Sequence, residues 1–342
     1  MRTYLRRSMV ILVLFPLLAV LVVVSDHPFP APSGPGDDAP RAIVAMGDST
    51  MSGEGGGTYD PATDGEDDNW CHRSLKSTVD RTAVLGVTKT FNIACSGANT
   101  EQVATTQANR LQAIARDNRV TAIVVAVGAN DDPRFADVLN KCLDAWVRRS
   151  DCNRALADEW KSRIDLMVPK LAKALRAVRT VMEQVGYSER SYSLVVQSYA
   201  SPVSPEIPTD LQNLSACPLR TGDSRWVRDQ AVRQLGAGVR DAAKQAGARY
   251  LDLTRAGAGH EACTGGKNPD SEWFTRLAID FEALRDDKRA SHAAQESFHP
   301  NARGYAQIGR CLSEFLGTDA RTAACVSDDA GNLRAELNPK SD

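Results

Sequence analysis

Four short stretches of this 342-residue chain carry residue types that can do nucleophilic chemistry: Gly47-Asp48-Ser49-Thr50, Cys95-Ser96-Gly97-Ala98-Asn99, Gly128-Ala129-Asn130-Asp131 and Ser297-Phe298-His299-Pro300-Asn301. A serine hydroxyl is a weak nucleophile until a base takes its proton, and imidazole titrates near neutral pH. Ser49 and His299 are therefore a candidate nucleophile and base. Gly-Asp-Ser alone is a weak signal, because the tripeptide recurs at Gly222-Asp223-Ser224. That second copy has no apolar run before it, and it reads as a helix N-cap. Ser49 differs because a strand precedes it.

Continuous apolar runs lead into three of these stretches and recur further along. Arg41–Met46, Phe91–Ala94, Val120–Val127, Ser193–Ser198 and Tyr250–Leu253 lack polar alternation, which suits strands covered on both faces of a parallel sheet. Helical patterns fill the gaps. The clearest puts Ile164, Val168, Leu171, Leu175, Val178, Met182 and Val185 at steps of four and three and stops at Gly186. Five strands alternating with helices predict a three-layer α/β/α sandwich with a mainly parallel, flavodoxin-like sheet. In such a sheet ligands bind beyond the carboxyl ends of the strands, so residues following different strands arrive at one rim.

Around this domain, 41–325, the reading places a signal segment at 1–26, a Pro/Gly-rich linker at 27–40 and a polar tail at 326–342. Arg2, Arg6 and Arg7 precede an apolar run from Met9 to Val24, the layout of a secretory signal. Either a cleaved signal or an uncleaved tether through residues 9–24 puts the rest outside the cytoplasm, secreted or in the cell envelope. All eight cysteines (Cys71, Cys95, Cys142, Cys152, Cys217, Cys263, Cys311, Cys325) lie beyond it, an even number that fits disulfides in an exported chain. Nearest-neighbour pairing is the expectation. The net charge of −2 and the absence of a basic block argue against a nucleic-acid partner. No metal-ligand spacing is present, and the chemistry requires no cofactor. A monomer is expected.

The motifs MGDSTMSGEG (46–55), CSGANT (95–100), VGAND (127–131) and ESFHPNARGY (296–305) occur in that order. With them the chain resembles the SGNH (GDSL) hydrolase superfamily, and most closely its secreted actinobacterial esterases, lipases and phospholipases A. The resemblance spans residues 42–316. It implies the SGNH form of the flavodoxin-like fold and hydrolysis of a carboxylic ester through an acyl-Ser49 intermediate. His299 is then the general base, and the backbone N–H groups of Ser49 and Gly97 and the Asn130 amide form the oxyanion hole. The superfamily usually has an aspartate three residues before the histidine; Glu296 stands there instead. Either the Glu296 carboxylate or the main-chain carbonyl of Ser297 would orient the ring. Cys71–Cys95, Cys142–Cys152 and Cys217–Cys263 match the pairing of such relatives, and Cys311–Cys325 would be an addition. Lipid esters are the first substrate class implied and acylated glycans the second. An acyltransferase or a catalytically silent binding domain would keep the same residues. His72 and His292 have no motif around them, and Gly55–Trp70 reads as a loop at the entrance.

Overall fold

Side chains that avoid water on both faces need a sheet covered on both sides, and the apolar runs find one. The computed structural model describes residues 34–36, 38–134, 137–281 and 292–339. The segment 1–26 and much of the linker 27–40 lie outside them. Among the described residues no helix is long and apolar enough to cross a membrane. Five strands fall on the expected runs: β1 (Arg41–Gly47), β2 (Lys89–Asn92), β3 (Arg119–Ala126), β4 (Ser193–Gln197) and β5 (Arg249–Asp252). Two more, β6 (Thr322–Ser327) and β7 (Leu333–Leu337), complete a sheet of order β2-β1-β3-β4-β5-β6-β7. The first six are parallel and β7 is antiparallel.

Among the described residues the sheet thus has seven strands in place of the expected five, and the segment read as a polar tail contributes the last of them. In residues 333–337 Leu333 is buried, Ala335 half-buried and the rest exposed, as in an edge strand with one solvated face. A search for continuous apolar runs passes over such a segment. Cys325 in β6 is joined to Cys311 in the last helix, and the other three disulfides are Cys71–Cys95, Cys142–Cys152 and Cys217–Cys263.

Helices cover the sheet. Among the described residues they include α1 (Ser49–Ser52), α2 (Ala108–Asp117), α3 (Asp137–Val147), α4 (Cys152–Gln184), α5 (Thr221–Trp226), α6 (Val232–Gln245) and α7 (Ala302–Leu316). In α4 the buried stripe is Leu156, Trp160, Ile164, Met167, Leu171, Leu175, Val178 and Met182, at steps of four and three. It packs against α2 and α6. The helix continues through the exposed Pro169, and Gly186 turns left-handed (φ 89°) just beyond its end.

The register carries the site. Gly47, the last residue of β1, lies beside Ala126, the last of β3. Gly47 has φ 136°, and a Cβ there would lie 1.9 Å from the Ala126 carbonyl oxygen, so only glycine lets β1 turn into α1 at this spacing. The Cys95 N–H bonds the Gly47 carbonyl at 3.1 Å, which brings the segment after β2 to the same edge.

Removing the Cys311–Cys325 bridge by Cys311→Ser/Cys325→Ser frees the hairpin of β6 and β7. Closing 14 residues of chain predicts a loss of about 3 kcal/mol in denaturant unfolding. An unchanged midpoint would mean that the bridge does not restrain the unfolded chain.

Candidate active site

The turn out of β1 is built by Asp48. Its N–H bonds the Ala126 carbonyl at 2.9 Å, and its Oδ1 accepts the Thr50 N–H at 3.1 Å, capping α1. Ser49 is therefore the first residue of a helix, where backbone N–H groups lack intrahelical partners. Its own N–H meets no acceptor among the described residues. Asp48 Oδ2 accepts the Tyr199 hydroxyl at 2.5 Å. Asp48 is fully buried, and burial pushes its carboxyl up to about 7 despite these bonds.

Ser49 Oγ lies 2.8 Å from His299 Nε2, across 250 residues of sequence. The imidazole's other nitrogen, Nδ1, is 3.1 Å from the Ser297 carbonyl oxygen. A carbonyl can only accept, so Nδ1 carries the proton and the neutral ring presents a bare Nε2 to the hydroxyl. Phe298, between the two, has φ 60°, a left-handed conformation uncommon for a bulky residue, and its backbone turn lets Ser297 face the ring. Thr275 holds the turn: its Oγ1 donates to the Glu296 carbonyl at 2.5 Å, and its N–H bonds the His299 carbonyl at 2.9 Å. Burial holds the His299 imidazole below its ordinary 6.5, opposed by the charge of Glu54, the Ser297 carbonyl and Glu296. The ring is thus neutral at pH 7, ready to accept a proton.

Of the two groups that could orient the ring, the Ser297 carbonyl is the one at Nδ1, and the Glu296 carboxylate makes no hydrogen bond to the imidazole. Glu296 Oε1 instead accepts the Tyr59 hydroxyl at 2.7 Å. The carbonyl of Ser297 already occupies Nδ1, and Tyr59 draws the longer glutamate side chain away.

Gly97 adopts φ 77°, and the space a Cβ would fill is open. Its N–H, like that of Ser49, bonds nothing among the described residues. The Asn130 amide donates one N–H to the Ala98 carbonyl at 3.1 Å, which leaves its second for another acceptor. Asp131 is buried and accepts the Thr100 hydroxyl at 2.6 Å, tying the loop after β3 to the loop that carries Gly97. The arrangement can take a proton from a hydroxyl and offer N–H donors to a negative oxygen beside it.

Other readings change. Asp223 and Ser224 lie inside α5, not at its N-cap; Asp223 Oδ1 accepts the Asn153 N–H at 2.9 Å and so caps α4 across 70 residues. Neither Glu54 nor His72 is marked in the sequence as a site residue. Glu54 lies in the first motif but shows no pattern of its own, and His72 follows Cys71 with nothing to mark it. Glu54 Oε1 and His72 Nδ1 are 2.8 Å apart in the interior.

The model of the GDSL-like lipase/acylhydrolase family matches residues 45–307, a span that contains all four segments. The chain belongs to that family. This GDSL hydrolase is a carboxylic-ester hydrolase. It is 26% identical over 312 residues to Lipase 2 of Streptomyces coelicolor, covering 87% of this chain and 92% of that one. An extracellular lipase from Streptomyces rimosus has the same fold, with a TM-score of 0.56, 23% identity, and coverage of 78% of this chain and 97% of its own. So does phospholipase A1 from Streptomyces albidoflavus NA297, with a TM-score of 0.57, 23% identity, and coverage of 78% and 95%.

Asp48 gives the GDSL hydrolase a stability signature. A carboxyl raised from 3.8 to about 7 on folding contributes stability that is full below pH 4 and is lost as pH rises through 7. Between pH 5 and 8 that loss is on the order of 2–3 kcal/mol. Asp48→Asn removes the slope. Equal pH dependence of urea unfolding in both proteins would show that Asp48 stays ionised throughout.

Proposed function

We propose that this hydrolase is exported and cleaves carboxylic esters, lipid acyl esters first among them, through an acyl-Ser49 intermediate. The observation that carries the reading is the 2.8 Å contact between Ser49 Oγ and His299 Nε2, with the ring held by a carbonyl in the tautomer a base needs. His299 takes the Ser49 proton as the oxygen bonds the ester carbon. The carbonyl oxygen becomes an anion facing the N–H groups of Ser49 and Gly97 and the Asn130 amide. Each such donor is worth about 10²- to 10³-fold in turnover. Breakdown releases the alcohol, which takes the proton from His299. Water then enters, and the same base activates it to free the acid.

Export is supported by the arginine-then-apolar N-terminus and by four disulfides, which persist in oxidising surroundings. Lipid esters are favoured by the likeness to Lipase 2 of Streptomyces coelicolor along 92% of its length. The orienting group is the Ser297 carbonyl, with the Glu296 carboxylate bonded to Tyr59 instead of the ring nitrogens.

A fluorophosphonate probe should label the wild type stoichiometrically and leave Ser49→Ala unlabelled; label on Ser49→Ala would sink the assignment. With p-nitrophenyl esters and phospholipids, free acid is expected as product even when acceptor alcohols are added. Acyl transfer dominating under those conditions would make the enzyme a transferase. Glu296→Gln keeps an acceptor for Tyr59 and should stay within about tenfold of wild-type kcat/KM. A drop of a thousandfold would return Glu296 to the catalytic group.

A further inference from the structure

Glu54 is a carboxylate with no exposed surface, five residues after Ser49. Burying a charge is costly unless it is paired and hydrogen-bonded. Glu54 is both. Its Oε1 meets His72 Nδ1 at 2.8 Å, and its Oε2 accepts the Ser96 hydroxyl at 2.8 Å and the Gln295 amide at 2.7 Å. Ser96 adjoins Gly97 in the loop that offers an N–H donor. Gln295 lies in the run of turns that leads to His299. The Glu54 carbonyl accepts the Tyr305 hydroxyl at 2.7 Å, which adds α7.

The positive partner is also built in. His72 Nε2 lies 2.9 Å from Asp64 Oδ1, so both ring nitrogens face carboxylates. Ionised carboxylates only accept, which requires the ring to donate from both sides as an imidazolium. Its pairing with Glu54 and Asp64 raises its pKa over the opposing effect of burial, and the Glu54 pKa is lowered against its own burial by His72, His299 and Ser96. The His72 ring stacks on Tyr59 at 4.2 Å, and the Tyr59 hydroxyl accepts the Gly55 N–H at 2.9 Å while donating to Glu296. The ionisable groups around Glu54 are therefore His72, Asp64, Tyr59, Glu296, Tyr305 and His299.

We propose that Glu54 is the positioning residue of the ester chemistry: its carboxylate clamps the donor loop and the histidine turn to the nucleophile's segment. Together with Asp64 it also leaves the group built on His72 with one net negative charge. The adjoining Gly55 lies against His299, where an added Cβ would be 3.2 Å from the histidine Cβ, and that charge does the electrostatic duty a contacting triad carboxylate would otherwise perform. This rests on Ser49 and His299 acting as proposed above. As His299 takes the serine proton it becomes a cation, and a fixed anion nearby lowers the energy of that state without occupying Nδ1.

The test compares Glu54→Gln, Glu54→Asp and Gln295→Leu by the pH dependence of kcat/KM on a p-nitrophenyl ester. A nearby negative charge raises the pKa of His299, so its removal lowers it. Glu54→Gln should reduce kcat/KM at pH 8 by about 10- to 100-fold and move the acid limb to lower pH. Glu54→Asp keeps the charge but shortens the reach, so its rate falls while its acid limb stays. Gln295→Leu tests the clamp without touching the carboxylate, and about a tenfold loss in kcat with an unmoved limb is expected. A Glu54→Gln limb that stays in place, or full kcat in Gln295→Leu, overturns the proposal. Fluorophosphonate labelling separates the two levels. Label on Ser49→Ala would sink the active-site assignment itself, whereas loss of that label with an unmoved Glu54→Gln limb sinks only the role of Glu54.

Discussion

A 2.8 Å hydrogen bond between residues 250 positions apart is a severe demand on a chain. Loop closure over such a distance costs entropy, and the contact itself returns little of it. The parallel sheet meets the demand. Its strands send their carboxyl ends to one edge, so segments remote in sequence leave the core as neighbours. Gly47, the loop after β2 and the loop after β3 emerge together because β1 lies between β2 and β3. The hydrophobic interior fixes where these loops begin.

Where they end is fixed by buried polar groups. Asp48 joins the turn before Ser49 to Tyr199 after β4, Asp131 joins the loop after β3 to Thr100, and Glu54 joins the histidine turn to Ser96. Each carboxylate accepts bonds from a segment other than its own. Apolar packing tolerates shifts of fractions of an ångström, whereas these bonds have narrow distance ranges and leave costly unpaired groups when broken. Loops that must hold a hydroxyl, an imidazole and N–H donors in fixed relation are better tied this way than by contact area alone.

The same distinction explains what could be read beforehand. β1 and β3 announce themselves because their residues are uniformly apolar, and the serine and histidine stand out because few residue types do that chemistry. The stripe of α4 follows helical spacing almost residue for residue. β7 escaped because one of its faces is solvated. The Glu54 and His72 pair escaped for a different reason. Its partners come from residues 64, 96 and 295, and nothing local in Gly55–Trp70 distinguishes an anchored loop from a solvated one. Asp223 shows the limit from the other side: a correct residue type for a cap, serving a helix 70 residues away.

A carbonyl behind the histidine has consequences for the rest of the site. A neutral acceptor fixes the tautomer and ring plane but contributes less than a full charge to stabilising the cation formed during proton transfer. It also needs residues 297 and 299 to face each other across a left-handed Phe298, a strain of about 1–3 kcal/mol that neighbouring structure must offset. Thr275 supplies that support through its bonds to Glu296 and His299. In the role proposed for Glu54, the missing charge comes from a carboxylate that does not touch the ring. Dividing orientation from electrostatics in this way frees residue 296 from an aspartate's geometry, which is why a glutamate turned toward Tyr59 is compatible with a well-placed imidazole.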